Sequence, residues 1–166
     1  LVGSDMCIRD SNSITYGAGL QNPFRDSYPG VLEQLLGTGY DVRNFGISGR
    51  TALQKGDHPY MREQAYTEAL DFAPNIVTIK LGTNDTKPWN WAHKEEFEHD
   101  LAELVRSFQT LETRPRVILC LPVPAPEGGK SINEETLVRD VIPAIRKVAR
   151  RSGAEILDLH EALKPY

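Results

Sequence analysis

A chain of 166 residues, 40% hydrophobic and 25% charged, has enough apolar residues to bury one core and no compositional sign of disorder. Its 19 basic and 23 acidic residues give a net charge of −4, with no basic cluster or aromatic-basic stripe, which speaks against nucleic acid and anionic membrane as partners. No apolar run approaches the roughly 18 residues needed to cross a bilayer. The chain starts at Leu1 and not Met, so a cytoplasmic location and a secreted or periplasmic one after removal of a leader both stay open.

Met6 to Ile8 reads as a first strand, and the segment after it, Ser11-Asn12-Ser13-Ile14-Thr15-Tyr16-Gly17, leads toward a helix over Tyr28 to Leu36. Ser13 is therefore expected on a strand-to-helix turn. There a hydroxyl at the carboxyl edge of a strand faces a crevice, and neighbouring N–H groups can stabilise an oxyanion. Further strands are expected at Tyr40 to Phe45, Ile76 to Leu81, Val117 to Leu121 and Glu155 to Leu159, and further helices at Tyr60 to Phe72, Lys94 to Leu111 and Asn133 to Arg151. The helical period is clearest in Phe97, Leu101, Leu104, Val105 and Phe108. Gly37 and Gly39 close the first helix and Gly153 follows the last. Val123 to Ser131, rich in Pro and Gly, reads as a surface loop at a strand's carboxyl end.

Strand–helix alternation with continuous apolar strands predicts a parallel five-stranded sheet covered on both faces, a three-layer α/β/α domain spanning residues 1–166. Cys7 and Cys120 lie in two of the strands and read as buried thiols. With no Cys-x-x-Cys or His-x-x-x-His spacing, no metal site is expected. Ligands of such a sheet bind outside the carboxyl ends of its strands, so the informative residues follow each strand. Ser13 follows the first. Gly46, in Asn44-Phe45-Gly46-Ile47-Ser48-Gly49-Arg50, follows the second and offers a backbone N–H. Asn84, in Gly82-Thr83-Asn84-Asp85, follows the third and offers a side-chain amide.

These three blocks resemble those of the SGNH (GDSL-type) hydrolases, esterases and lipases with a flavodoxin-like fold. The family's first block, Gly-Asp-Ser-Ile-Thr-x-Gly, aligns with residues Ser11 to Gly17, its second-block glycine with Gly46, and its third block, Gly-x-Asn-Asp, with Gly82 to Asp85. The resemblance implies Ser13 as nucleophile and an oxyanion hole from the N–H groups of Ser13 and Gly46 and the Asn84 amide. It implies short acyl esters as substrates, with acetyl groups on carbohydrate suggested by members that share Asn12 in place of the usual aspartate. Asn12, Arg50 and Trp89 are then candidates for substrate binding. Arg50 has the alternative of pairing with a surface carboxylate, and Trp89 the alternative of loop packing.

The sequence departs from the family at Ser11, at Asn12, and at Arg9-Asp10, which put two charges where a buried strand end is usually apolar; the pair is salt-bridged or exposed, or the strand ends early. The largest departure is the fifth block, Asp-x-x-His, which is not found at its place. The expectation is a chain truncated before that histidine, with the C-terminal helix missing and an apolar sheet face left open to self-association or domain swapping. Asp158 and His160, two apart near the last strand's end and on the same side of it, are the candidates for a substitute orienting carboxylate and base, with the strand partly occluding the route to Ser13 and ordinary strand-end polar residues as the alternative. His58 reads as a rim or surface residue, and His93 and His99 as solvated. Asp85 reads as a cap or a loop-orienting group.

Two other readings follow. A catalytically silent domain would bind a carbohydrate or acyl ligand in the same crevice. A nucleotide-binding module would need a Gly-rich phosphate loop after the first strand, which is absent, and no cofactor is expected.

Overall fold

The computed structural model describes residues 4–10, 21–125 and 131–164. Five strands, β1 (Ser4–Asp10), β2 (Tyr40–Asn44), β3 (Ile76–Lys80), β4 (Arg116–Cys120) and β5 (Glu155–Leu157), form one sheet in the order β2-β1-β3-β4-β5. All four pairings are parallel. The order is that of the flavodoxin-like doubly wound folds, in which the winding reverses between β1 and β3. The expected strands agree with these to within two residues at each end. The last is shortened, because Asp158 leaves the strand to cap a short helix.

Four longer helices cover the sheet: α1 (Tyr28–Leu36), α2 (Gln64–Asp71), α3 (Phe97–Gln109) and α4 (Ile142–Ser152); the four-residue α5 (Leu159–Ala162) follows β5. One face carries α2, α3 and α4 in a single apolar core with Val77, Ile79, Val117 and Leu119. The five periodic residues of α3 are all buried, a gross transfer free energy on the order of 10 kcal/mol before chain entropy is subtracted. The other face carries α1, whose Tyr28, Leu32 and Leu36 pack, with Ile76, against Val42. Over β4 and β5 that second face is unevenly covered: Cys120 is buried, Ile118 half-buried and Leu157 47% exposed.

Two expected helices are interrupted. The stretch from Tyr60 opens as a 3₁₀ turn to Arg62 and breaks at the extended Glu63 before α2. Ahead of α4 the chain makes a π-helical stretch from Leu137 to Val141. Pro143, in the first turn of α4, lacks the N–H that would complete the ordinary i to i−4 ladder at that point. Gly153 ends α4 with a left-handed φ of 71° and donates its N–H to Ala149 O, as the sequence anticipates.

β1 runs through Asp10, so it does not end early, and Asp10 stands in register with Lys80. Lys80 is itself buried, a charge inside a segment that reads as apolar. Cys120 is a free buried thiol, and β3 separates its strand from that of Cys7.

Candidate active site

At the winding reversal, β1 lies between β2 and β3, so the loops after Asn44 and Lys80 flank the point where the chain leaves β1 at Asp10. Ser13 and Asn12 lie outside the described residues. The described part of the site is therefore the pair of flanking loops.

The loop after β2 is fixed from three directions. The Gly46 N–H donates to Asn44 Oδ1 at 2.9 Å, a side-chain turn two residues long. The hydroxyl of the buried Tyr60 donates to Phe45 O at 3.1 Å. The Arg50 guanidinium donates to Glu63 Oε1 and to Ser48 O, both at 2.8 Å. Of the two alternatives for Arg50, pairing with a carboxylate is the one seen. Asn44, Phe45 and Gly46 also edge an open cavity of about 790 Å³, bounded on its other sides by Ser27, Glu68 and Phe72.

The loop after β3 begins at Gly82, whose φ of +115° suits only glycine, and where a Cβ would stand 2.7 Å from Val141 Cγ1. Asn84 is nearly buried, and its amide donates to Arg50 O at 3.2 Å, joining the two loops. Asp85 is fully buried and accepts N–H donors from Ala52 at 3.1 Å and Leu53 at 2.9 Å. Burial pushes its carboxyl up to about 6 against those backbone bonds, which favour the charged form. The expectation of a loop-orienting role for Asp85 matches this geometry.

Between the two loops, Thr51 to Pro59 forms a closed excursion. Its ends meet where Thr51 N donates to His58 O and Tyr60 N to Thr51 O. It has almost no regular structure, and side chains of other elements satisfy its amides. Ala52 and Leu53 donate to Asp85, Gln54 to the buried Asp100 of α3 at 2.8 Å, and Asp57 to the buried Asn90 at 2.8 Å. Asn90 returns its amide to Asp57 and to Asn84 O. Sequence reading missed Asn90 and Asp100. Both are polar residues inside helical segments, and only tertiary placement reveals their partners.

Asp57 collects Trp89 Nε1 at 3.0 Å, Asn90 Nδ2 at 3.0 Å and Lys87 Nζ at 3.3 Å. Burial pushes its carboxyl up, and these donors more than offset it, leaving the group at about 2. Trp89 is 52% exposed, with the Lys87 ammonium 5.8 Å from its ring centre and the indole nitrogen pinned. It is a fixed aromatic surface beside the Asn84 loop. Among the described residues, His99, Asp100 and Glu103 are grouped closely enough to suggest metal ligands, but Asp100 and Glu103 hold the backbone and side chain of Gln54. His58 and His93 are exposed.

No hydrogen bond joins Asp158 to His160 among the described residues, and each has other partners. Asp158 accepts the Glu161 N–H at 2.9 Å as the cap of α5 and the Arg146 guanidinium at 2.5 Å. His160 sits on α5 and not on the strand, buried, with Nδ1 3.0 Å from Pro122 O and Nε2 3.3 Å from Glu134 Oε1. Both neighbours are hydrogen-bond acceptors, so each ring nitrogen already faces a partner in this arrangement.

Topology and strand-end loops together define a flavodoxin-like α/β domain with its crevice at the β1/β3 winding reversal. The sequence profile of the GDSL-like lipase/acylhydrolase family matches residues 12–166, and the chain belongs to that family. It is 40% identical to an acetylxylan esterase of Xylanibacter ruminicola, over 90% of this chain and 35% of that protein. The chain thus spans about a third of the length of this curated relative. In fold it is similar to a carbohydrate acetylesterase from Sinorhizobium meliloti, with a TM-score of 0.69 at 21% identity, covering 93% of this chain and 83% of the other. An aryl esterase from M. smegmatis gives a TM-score of 0.72 at 22% identity, covering 93% and 84%.

Proposed function

We propose that this chain hydrolyses short acyl esters, acetyl groups on carbohydrate among them, with Ser13 as nucleophile and, as oxyanion donors, the Ser13 N–H, the Asn84 amide and the Gly46 N–H, which exchanges its bond to Asn44 Oδ1 for the oxyanion. The observation that carries this reading is the joining of the Gly46 and Asn84 loops across the end of β1, through the Asn84–Arg50 hydrogen bond. Ser13 is three residues beyond Asp10, a tether of at most about 11 Å. Ser13 Oγ attacks the acyl carbon and a general base takes its proton. The donors hold the tetrahedral oxyanion, the alcohol leaves with that proton, and water releases the acid in the mirror sequence. The acetylxylan esterase relative supports the carbohydrate acetyl class, and the pinned, half-exposed Trp89 offers a face on which a sugar ring stacks. Asn12 is assigned to substrate binding by resemblance, and Arg50 serves through its brace on Glu63. The engaged ring of His160 and the capping role of Asp158 argue against giving them the base and its orienting carboxylate.

The test is hydrolysis of p-nitrophenyl acetate and release of acetate from acetylated xylan by the wild type and Ser13→Ala. Turnover that drops at least ~100-fold in the variant is expected. Turnover unaffected by the substitution sinks the assignment of Ser13. Background rates in both proteins favour the second reading, a silent crevice-binding domain, which the committed contacts of His160 motivate.

A further inference from the structure

We infer that Asp85 is the positioning residue of the oxyanion pocket, holding the Gly46 and Asn84 loops in register by binding the backbone N–H groups of Ala52 and Leu53; this rests on the hydrolase reading above. Residues 84 and 85 meet residues 50 to 53 through three hydrogen bonds. The Asn84 amide donates to Arg50 O, and the two Asp85 oxygens accept one amide each. One buried side chain thus holds two backbone donors of the Thr51 to Pro59 excursion and sits next in sequence to an oxyanion donor.

Burying a carboxylate is costly, so a fully enclosed one whose partners are backbone amides needs a reason. Arg50 and Ser48 lie between the clamp and Gly46, and Arg50 is braced on Glu63 and on Ser48 O. A shift at Ala52 and Leu53 therefore passes to the segment that presents the Gly46 N–H. Oxyanion donors act on the transition state more than on the bound ester, and a misplacement of about 1 Å costs on the order of 100-fold. Loss of the clamp is expected in kcat and not in KM.

Asp85→Asn keeps the shape and sets an NH₂ against one of the two amide donors. Asp100→Asn makes the same change under Gln54, one residue further along, and serves as the control. The readouts are thermal melting, kcat and KM on p-nitrophenyl acetate, and the rate at which a p-nitrophenyl alkylphosphonate modifies Ser13, followed by intact mass. Expected for Asp85→Asn are a retained circular dichroism spectrum, KM within threefold, kcat down at least ~30-fold and phosphonylation slowed in step. For Asp100→Asn a lowered melting temperature with kcat within threefold is expected. Asp85→Asn with kcat within threefold, or Asp100→Asn losing as much as Asp85→Asn, overturns the inference. A wild type inert to both reagents overturns the hydrolase reading and this inference with it. Should Asp85→Asn not fold, Gly56→Ala decides: its Cβ would overlap Thr51 Oγ1, beside Arg50. A kcat loss with KM kept supports the clamp, and an unchanged kcat overturns it.

Discussion

The loop from Thr51 to Pro59, almost without regular structure, and the segment from Glu155 to Lys164, a three-residue strand and a single helical turn, are fastened in opposite ways. The first is held by buried acceptors: Asp85, Asp100 and Asn90 take four of its amides. The second pairs with β4 through its strand, and the side-chain fastenings it adds are largely at the surface, Arg116 with Glu155, Arg146 with Asp158 and Lys164 with Glu161. A buried amide without its acceptor costs the full desolvation of the group, so the first loop has one low-energy arrangement. Exposed pairs exchange readily with water and leave a segment more choice. The difference matches what each part is for: the first adjoins both proposed oxyanion donors.

Gly82→Ala breaks the first region most severely. The φ of +115° strains any L side chain, and the added methyl meets Val141 Cγ1 and Ile145 Cδ1 in the π-helical stretch and α4. Strain of roughly 1–3 kcal/mol and overpacking of a similar size together predict a loss of about 2–6 kcal/mol. Chemical denaturation measures it, and a loss below about 1 kcal/mol would show that the Gly82 loop is softer than the comparison holds.

A pH series sharpens the same contrast. The Asp85 carboxyl, raised by burial from the ordinary 3.8 to about 6, binds its proton more tightly in the folded chain than in the unfolded one. Its contribution to stability is fully present below about pH 4 and is lost as pH rises through about 6, a change of ~3 kcal/mol. Unfolding free energies of wild type minus Asp85→Asn should fall by that order between pH 4 and pH 7. A flat difference would mean that backbone donors cancel the burial.

How much of this was legible in the sequence follows the same division. The sheet, the α3 face and the positions of Gly46 and Asn84 after their strands come from periodicity and turn residues, which local chemistry dictates. The loop fastening does not, because Gln54 and Asp100 are 46 residues apart and a polar residue in a helical pattern reads as solvated until its partner is seen. His160 shows the converse error. Strand alternation put Asp158 and His160 on one side, but Asp158 serves better as a helix cap, and the turn it starts carries His160 into contact with Pro122 and Glu134. Lys80 escaped for a third reason: a strand that is apolar elsewhere gives no sign that its last residue is a buried cation.

Asp158→Ala tests the second region, and its sign with pH opposes that of Asp85. The Glu161 N–H, more than Arg146, holds the Asp158 carboxyl below its usual range, with burial acting against both. Its contribution is present above the ordinary 3.8 and is lost as pH falls through the lowered folded value. The cap is worth about 1 kcal/mol, and the Arg146 pair, a third exposed, adds little once solvent screening is allowed for. The variant should therefore melt about 2–4 °C lower at pH 7, with the gap closing below about pH 4 and changing little with added salt. A gap that shrinks strongly with salt would transfer the stability from the cap to the ion pair. A gap above about 3 kcal/mol would mean that α5 is fastened as firmly as the Thr51 to Pro59 loop, through the buried His160 and its hold on Pro122.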